Sequence, residues 1–256
     1  MAVSLSDGYG TIGVVPRLGS GVPLVARDGE IAQLDAALGR AVSGQASAVL
    51  LWGDAGVGKS RVLAEFSTLA EARGALVLTG RCLGVGDAGL PYLPFTEVLD
   101  QLRRHRSDLV TWPSPTVAEH EWSQLQLFDA VLRALAEASS DRTVVVALED
   151  LHWADASTRD LFSFLVSRLS GQRLLVVATY RADDLHRQHP LWPLLAELVR
   201  IPAVERLHLE PFPPAEAQAF VRALADDGLG DELVAAVAER SEGNAFFAEE
   251  LLAAAA

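Results

Sequence analysis

The sequence predicts an α/β protein: a parallel sheet between two layers of helices, followed by a small all-helical unit. Three observations carry this expectation. Short, continuously apolar runs alternate with amphipathic stretches between residues 24 and 210, the pattern of strands joined by helical crossovers. The eight residues Gly53–Ser60 form a glycine-rich loop directly after one such run and directly before a helical stretch. Beyond Pro211-Phe-Pro-Pro214 the chain offers helical spacing only.

Gly53-Asp54-Ala55-Gly56-Val57-Gly58-Lys59-Ser60 fits G-x-x-x-x-G-K-[ST], the phosphate-binding loop of nucleotide hydrolases. The glycines let backbone N–H groups turn inward around a polyphosphate with no Cβ in the way. Lys59 supplies a compact positive charge for the β- and γ-phosphates, and Ser60 a hydroxyl for Mg²⁺. Ser47–Trp52 reads as the buried strand before the loop. Arg61–Ala70 reads as the helix after it, with Val62, Leu63, Phe66 and Leu69 at helical spacing. That helix would aim its dipole and unpaired N–H groups at the phosphates. Of 21 basic residues, Lys59 is the one lysine. An open loop would leave its amine reachable from solvent.

Residues 1–23 are rich in Gly and Ser without periodicity and read as a flexible leader. Residues 24–210 read as the core. Ile31, Leu34, Ala37, Leu38 and Val42 define a first helix that Asp28 could cap. Ala75–Thr79 is a second strand, and Arg81–Gly89 a glycine-rich loop. Phe95–Arg104 is helical. Ser107–Thr116 is a proline-containing connection, and Trp122–Ala138 a longer helix carrying Leu125, Phe128, Leu132 and Leu135. Thr143–Leu148 is a strand, Ser157–Leu169 a helix, Arg173–Tyr180 a strand, Leu191–Val199 a helix and Val204–Leu209 a last strand. Runs this uniformly apolar suit a sheet covered on both faces. Residues 211–256 form the helical lid, with helices at Glu216–Leu224, Asp231–Arg240 and Phe246–Ala254. The terminal alanines carry no stop signal, which leaves open that the lid continues.

The chain has 256 residues and a net charge of −13. Duplex binding needs clustered Lys and Arg, so no direct nucleic-acid contact is expected. Cys82 is the one cysteine and can form no intrachain disulfide, in keeping with a cytoplasmic protein. There is no membrane-length apolar run.

The strand 143–148 ends in Glu149 and Asp150. Acids at a strand end beside a phosphate loop can hold Mg²⁺ and orient an attacking water. Their order places Glu149 nearer the metal and Asp150 nearer the water. Arg181 ends another buried strand, where ligands of open parallel sheets sit. It is placed to touch a γ-phosphate or stabilise transition-state charge; the alternative is a surface Arg paired with Asp183 or Asp184. His152 and Trp153 are expected to pack beside the acids. His186-x-x-His189 has metal-like spacing but lacks a third ligand, and reads as a solvated loop.

Several strings together resemble the AAA-type P-loop NTPase module of the STAND class, as found in large ATP-binding LuxR-type (MalT-like) transcriptional regulators. Leu24-Val-Ala-Arg-Asp-Gly-Glu30 resembles that family's first motif, Val-Gly-Arg-Glu-x-Glu, with Ala26 where Gly is usual. Gly53–Ser60 matches its Walker A motif, and Leu148-Glu-Asp-Leu-His-Trp-Ala-Asp155 resembles its Walker B motif. Ala178-Thr-Tyr-Arg181 resembles its sensor strand. Glu242-Gly-Asn-Ala-Phe-Phe247 resembles a lid motif with Ala245 in place of Pro. The resemblance implies ATP or ADP with Mg²⁺ as ligands. Val25 and Arg27 would lie near the adenine, residues 53–60 and Arg61 around the phosphates, and Ser60 with Glu149 on the metal.

The leading expectation is therefore a nucleotide-controlled switch with slow ATP hydrolysis, acting in signal transduction and transcription regulation. The alternatives are an oligomeric AAA-type motor or remodelling ATPase, and an ATP-binding scaffold attached to a cyclase or kinase. The partners implied are adenine nucleotide and either self-association or a regulatory protein.

Overall fold

The computed structural model describes residues 24–84, 90–106, 123–224 and 229–255. The expected leader 1–23, the Ser107–Thr116 connection, residues 85–89 of the glycine-rich loop and Trp122 lie outside the described residues.

The core begins with α1 (Asp28–Val42), followed by β1 (Ser47–Gly53), α2 (Lys59–Ala72), β2 (Leu76–Arg81) and α3 (Leu93–His105). It continues with α4 (Gln124–Ala138), β3 (Val144–Glu149), a 3₁₀ turn (Leu151–Trp153) and α5 (Ala156–Ser167). It ends with β4 (Leu174–Arg181), α6 (Leu191–Leu198) and β5 (Val204–His208). Three further helices follow, α7 (Pro214–Leu224), α8 (Asp231–Arg240) and α9 (Ala245–Ala255), in the stretch expected to be a lid.

The five strands form one sheet in the order β2-β3-β4-β1-β5, and every pairing is parallel. The expected α/β fold, with a parallel sheet flanked by helices, is the one observed. Alternate residues of each strand serve opposite layers. Val49, Leu51, Val145, Ala147, Leu175 and Val177 pack with α1 and α2. Ala48, Leu50, Val144, Val146, Leu174 and Val176 pack with α3 to α6. Both faces are covered, which is why the strands read as unbroken apolar runs. The lid helices bury a smaller cluster of their own around Phe212, Phe220, Val221 and Leu252.

Some local expectations are corrected. Asp28 does not cap α1: Arg27 is the N-cap, with no side-chain capping bond, and Asp28 lies in the first turn. Val42 is exposed, because the buried stripe of α1 runs Leu34, Ala37, Leu38, Ala41. Leu125 is likewise exposed, since the core face of α4 is set by Phe128, Val131 and Leu135. That helix starts at a capping box: Gln126 N donates to Ser123 Oγ (3.4 Å) and Ser123 N donates to Gln126 Oε1 (2.8 Å).

Candidate phosphate-binding site

The loop that follows β1 turns sharply into α2. Gly56 and Gly58 have φ of 79° and 103°, the left-handed region that only glycine enters without strain. Gly58 is the N-cap of α2 and supplies no side-chain capping bond. The first N–H groups of a helix have no intrahelical partner, so this end presents donors and a positive dipole to an anion.

Lys59 Nζ donates to the carbonyl oxygens of Gly53 (2.8 Å) and Asp54 (2.6 Å). Burial, joined by the nearby Arg181 charge, holds its pKa below the ordinary lysine value, while Asp183, Asp150 and Asp54 pull the other way. The expectation of a solvent-reachable amine is corrected. Lys59 is 7% exposed, because the loop carbonyls fold it back under the turn. Ser60 is exposed at the helix start, and Val57 is fully buried under α1 and α2.

The acids follow β3. Glu149 is its last residue, and Asp150 adopts a left-handed conformation (φ 59°, ψ 44°). The Asp150 N–H donates to Thr179 Oγ1 at 3.0 Å, tying the acid turn to β4. Arg81, at the end of β2, donates from Nη2 to Glu149 Oε2 at 3.0 Å, and its Nε lies 4.0 Å from Asp150 Oδ2. Neither Thr179 nor Arg81 was singled out from sequence. Arg81 ends β2, an edge strand whose residues are alternately buried, two residues beyond the expected strand end at Thr79.

Because β4 lies between β1 and β3, its C-terminal loop sits between the phosphate loop and the acids. Arg181 Nη1 lies 3.7 Å from Asp184 Oδ2, the pairing anticipated as the alternative to a phosphate contact. Arg181 N donates to His152 Nδ1 at 3.4 Å, and His152 Nε2 lies 3.4 Å from Asp184 Oδ2. Burial pushes the His152 imidazole down to about 4, against the opposing pull of Asp150 and Asp184. His152 is therefore neutral near pH 7. Two further contacts fix this loop to the phosphate loop. Ala182 N donates to Gly53 O (3.2 Å), and Ala55 N donates to Asp183 Oδ1 (3.2 Å).

The segment leading into α9 touches the same turn. Asn244 Nδ2 donates to Ala55 O at 2.8 Å, and Phe246 N donates to Gly56 O at 3.1 Å. A Cβ on Gly56 would stand 2.5 Å from Asn244 Oδ1 and 2.9 Å from Phe246 Cβ. Arg27 is buried, and its Nη2 donates to Glu210 O (2.8 Å) and Val57 O (3.3 Å). Its Nη1 donates to Glu30 Oε1 (3.0 Å), and the guanidinium lies 4.1 Å from the Phe212 ring centre. Val25 and Ala26 pack against the lid cluster. The first motif thus joins core to lid.

The donor set suits a phosphate chain with a hard cation. A helix start without a side-chain cap, a buried ammonium, a hydroxyl and two carboxylates converge at the carboxyl ends of the strands. A family model described as an AAA ATPase domain matches residues 23–177, more than half of the chain. The chain belongs to the AAA ATPase domain family. An uncharacterized protein of Rhizobium meliloti (strain 1021) is 28% identical over 200 residues, 63% of this chain and 19% of that one. The chain thus spans about a fifth of that relative's length. The fold is similar to that of the Aeropyrum pernix ORC1 protein solved in complex with DNA. The TM-score is 0.56 at 18% identity, covering 93% of this chain and 62% of that one. Drosophila ORC bound to DNA is more distant, with a TM-score of 0.46 at 12% identity, covering 72% of this chain and 94% of that one.

Trp153 is half-exposed beside the acids: its N–H donates to Asp150 O (2.8 Å), and its ring centre lies 5.2 Å from that of His152. His186 and His189 meet edge to face, and His189 Nδ1 accepts from Leu191 N (3.1 Å). Among the described residues no group of three or more His, Cys, Asp or Glu is placed to hold a metal ion. Nor is any helix among them long and apolar enough to cross a membrane.

Proposed function

We propose that this AAA ATPase domain is an ATP-dependent, Mg²⁺-requiring switch whose lid position reports the nucleotide bound. What supports the reading is the lid contact on the phosphate loop itself: Asn244 on Ala55 and Phe246 on Gly56. A ligand that rearranges those peptides must alter the lid, and only differential contacts can bias a two-state element.

The positions of the residues support the following roles. The N–H groups of Val57–Ser60 and the Lys59 ammonium, once released from the Gly53 and Asp54 carbonyls, hold the β- and γ-phosphates. Ser60 and Glu149 would hold Mg²⁺, which would supply charge neutralisation there. Asp150, fixed through Thr179, orients the attacking water. Arg181 leaves Asp184 for the terminal phosphate. Glu149 must likewise release Arg81 to meet a cation. Hydrolysis on this reading is slow and resets the switch.

The motif strings at residues 24–30, 148–155 and 242–247 support a place within LuxR-type regulators, with adenine as the base. The charge of −13 argues against duplex binding by these residues.

Thermal melts with ATP·Mg, ADP·Mg and GTP·Mg test the reading. A ligand bound only by the folded state adds ~2.7 kcal/mol at a hundredfold excess over Kd. We expect the largest upward shift with ATP·Mg. No shift with any nucleotide removes the proposal, and a larger shift with GTP·Mg removes adenine.

A further inference from the structure

We infer that Asp183 is a specificity-determining residue that selects against the triphosphate in the nucleotide site, an inference that rests on the proposed nucleotide binding. Its carboxylate accepts the Ala55 N–H at 3.2 Å. That donor belongs to the phosphate loop, so an acidic side chain already sits on the loop, two residues before the Val57–Ser60 N–H groups. The contact is braced from its neighbour. Ala182 N donates to Gly53 O at 3.2 Å, fixing the backbone that carries Asp183. The Asp183 charge also reaches Lys59, where it opposes the lowering of the pKa by burial and by Arg181.

Position decides which nucleotide meets this charge. The loop after β4 lies between the phosphate loop and Glu149–Asp150, because β4 separates β1 from β3. That gap separates the acids that would hold a cation from the loop that would hold the phosphate chain. The terminal phosphate of a triphosphate would enter it, whereas a diphosphate would end at Lys59 and the start of α2. Two anions brought together at a partly exposed site repel each other, and the repulsion weakens when a cation sits between them. Asp183 therefore weakens ATP binding while leaving ADP binding nearly unchanged, and the penalty is greatest without Mg²⁺. Without Mg²⁺ the site would favour ADP, and Mg²⁺ would restore the affinity for ATP.

Calorimetric titration of ATP and ADP, each with Mg²⁺ and with EDTA, into wild type, D183N and D183A tests this. Asn keeps an acceptor for Ala55 N–H and loses the charge; Ala loses both. We expect both variants to bind metal-free ATP at least about tenfold more tightly, with ADP affinity within about twofold. The exposed-site variant D160N, of equal net charge, should change neither. An unchanged ATP/ADP ratio in D183N and D183A overturns the inference, as does weaker ATP·Mg binding, which would make Asp183 a support for the metal. Equal gains in D160N would mark a general charge effect and overturn it too. If wild type binds neither nucleotide, the nucleotide reading falls as well; if it binds both and the ratio is fixed, only this inference falls.

Discussion

Ala55 and Asn244 lie 189 positions apart, yet the Asn244 side-chain amide donates to the Ala55 carbonyl oxygen at 2.8 Å. The same residue's N–H is taken by Asp183. One residue at the tip of the phosphate loop is thus held from the lid on one side and from the β4 loop on the other.

Gly56→Ala should loosen the lid. The new methyl group would press on Asn244 and Phe246, and φ of 79° is unfavourable for alanine. Left-handed strain and overpacking together should cost about 2–4 kcal/mol. Denaturant unfolding gives the stability change, and limited proteolysis around Pro211–Pro214 should become faster. Stability within about 0.5 kcal/mol of wild type would mean that the lid does not bear on the loop.

Ala26→Gly should stabilise the protein. Ala26 has φ of 52°, at the position where the motif it resembles carries glycine. Relief of left-handed strain should outweigh the extra chain entropy of glycine, for a net gain of about 0.5–1 kcal/mol. A lower denaturation midpoint for the variant would contradict this account.

Local chemistry was legible in the sequence and long-range partnership was not. Gly53–Ser60 could be read because its function requires particular residues in immediate succession, and the strands because both faces are buried. The order β2-β3-β4-β1-β5 could not, since nothing within one strand names its neighbours. The Arg81–Glu149 pair depends on that order. The resemblance places Arg27 near the adenine; its partners Val57, Glu210 and Phe212 come from two distant parts of the chain. Asp183 was noticed only as a neighbour of Arg181, because its bond to Ala55 crosses from one loop to another.

Lys59 should resist amine acylation even without nucleotide. Its ammonium is held by two carbonyls and is 7% exposed. As the one lysine, it can be compared directly with the chain's amino terminus by mass spectrometry of the two peptides. Rapid labelling of Lys59 in the folded protein would show that the loop opens readily. Labelling that appears only with denaturant would support the buried arrangement.

Stability should fall below pH 6.5, with His152 a named contributor. Its folded pKa, about 4, lies below the ordinary value of 6.5. Above pH 6.5 the imidazole is neutral in both states and adds no pH dependence. Between 6.5 and 4 the unfolded chain takes up a proton that the folded chain refuses, so stability drops as pH falls. The groups facing it are Asp150, Asp184, Arg181 and Lys59. The full loss by pH 4 is on the order of 3 kcal/mol. His152→Asn, which keeps an acceptor for Arg181 N, should flatten this part of the curve in urea midpoints at pH 7, 5.5 and 4.5. Parallel curves for the two proteins would exclude His152 as the source.

The interior place of β1 in the sheet has a cost during synthesis. Among the described residues it is the first strand made, yet its neighbours are β4 and β5, the last two. At about 5–20 residues per second, Ala48–Leu51 wait on the order of ten seconds before Leu174–Arg181 can cover their edge. Over that interval an apolar strand with unpaired backbone is open to other nascent chains. Yield should therefore be sensitive to synthesis rate and to the chaperones that shield such strands, even for variants whose finished fold is unchanged.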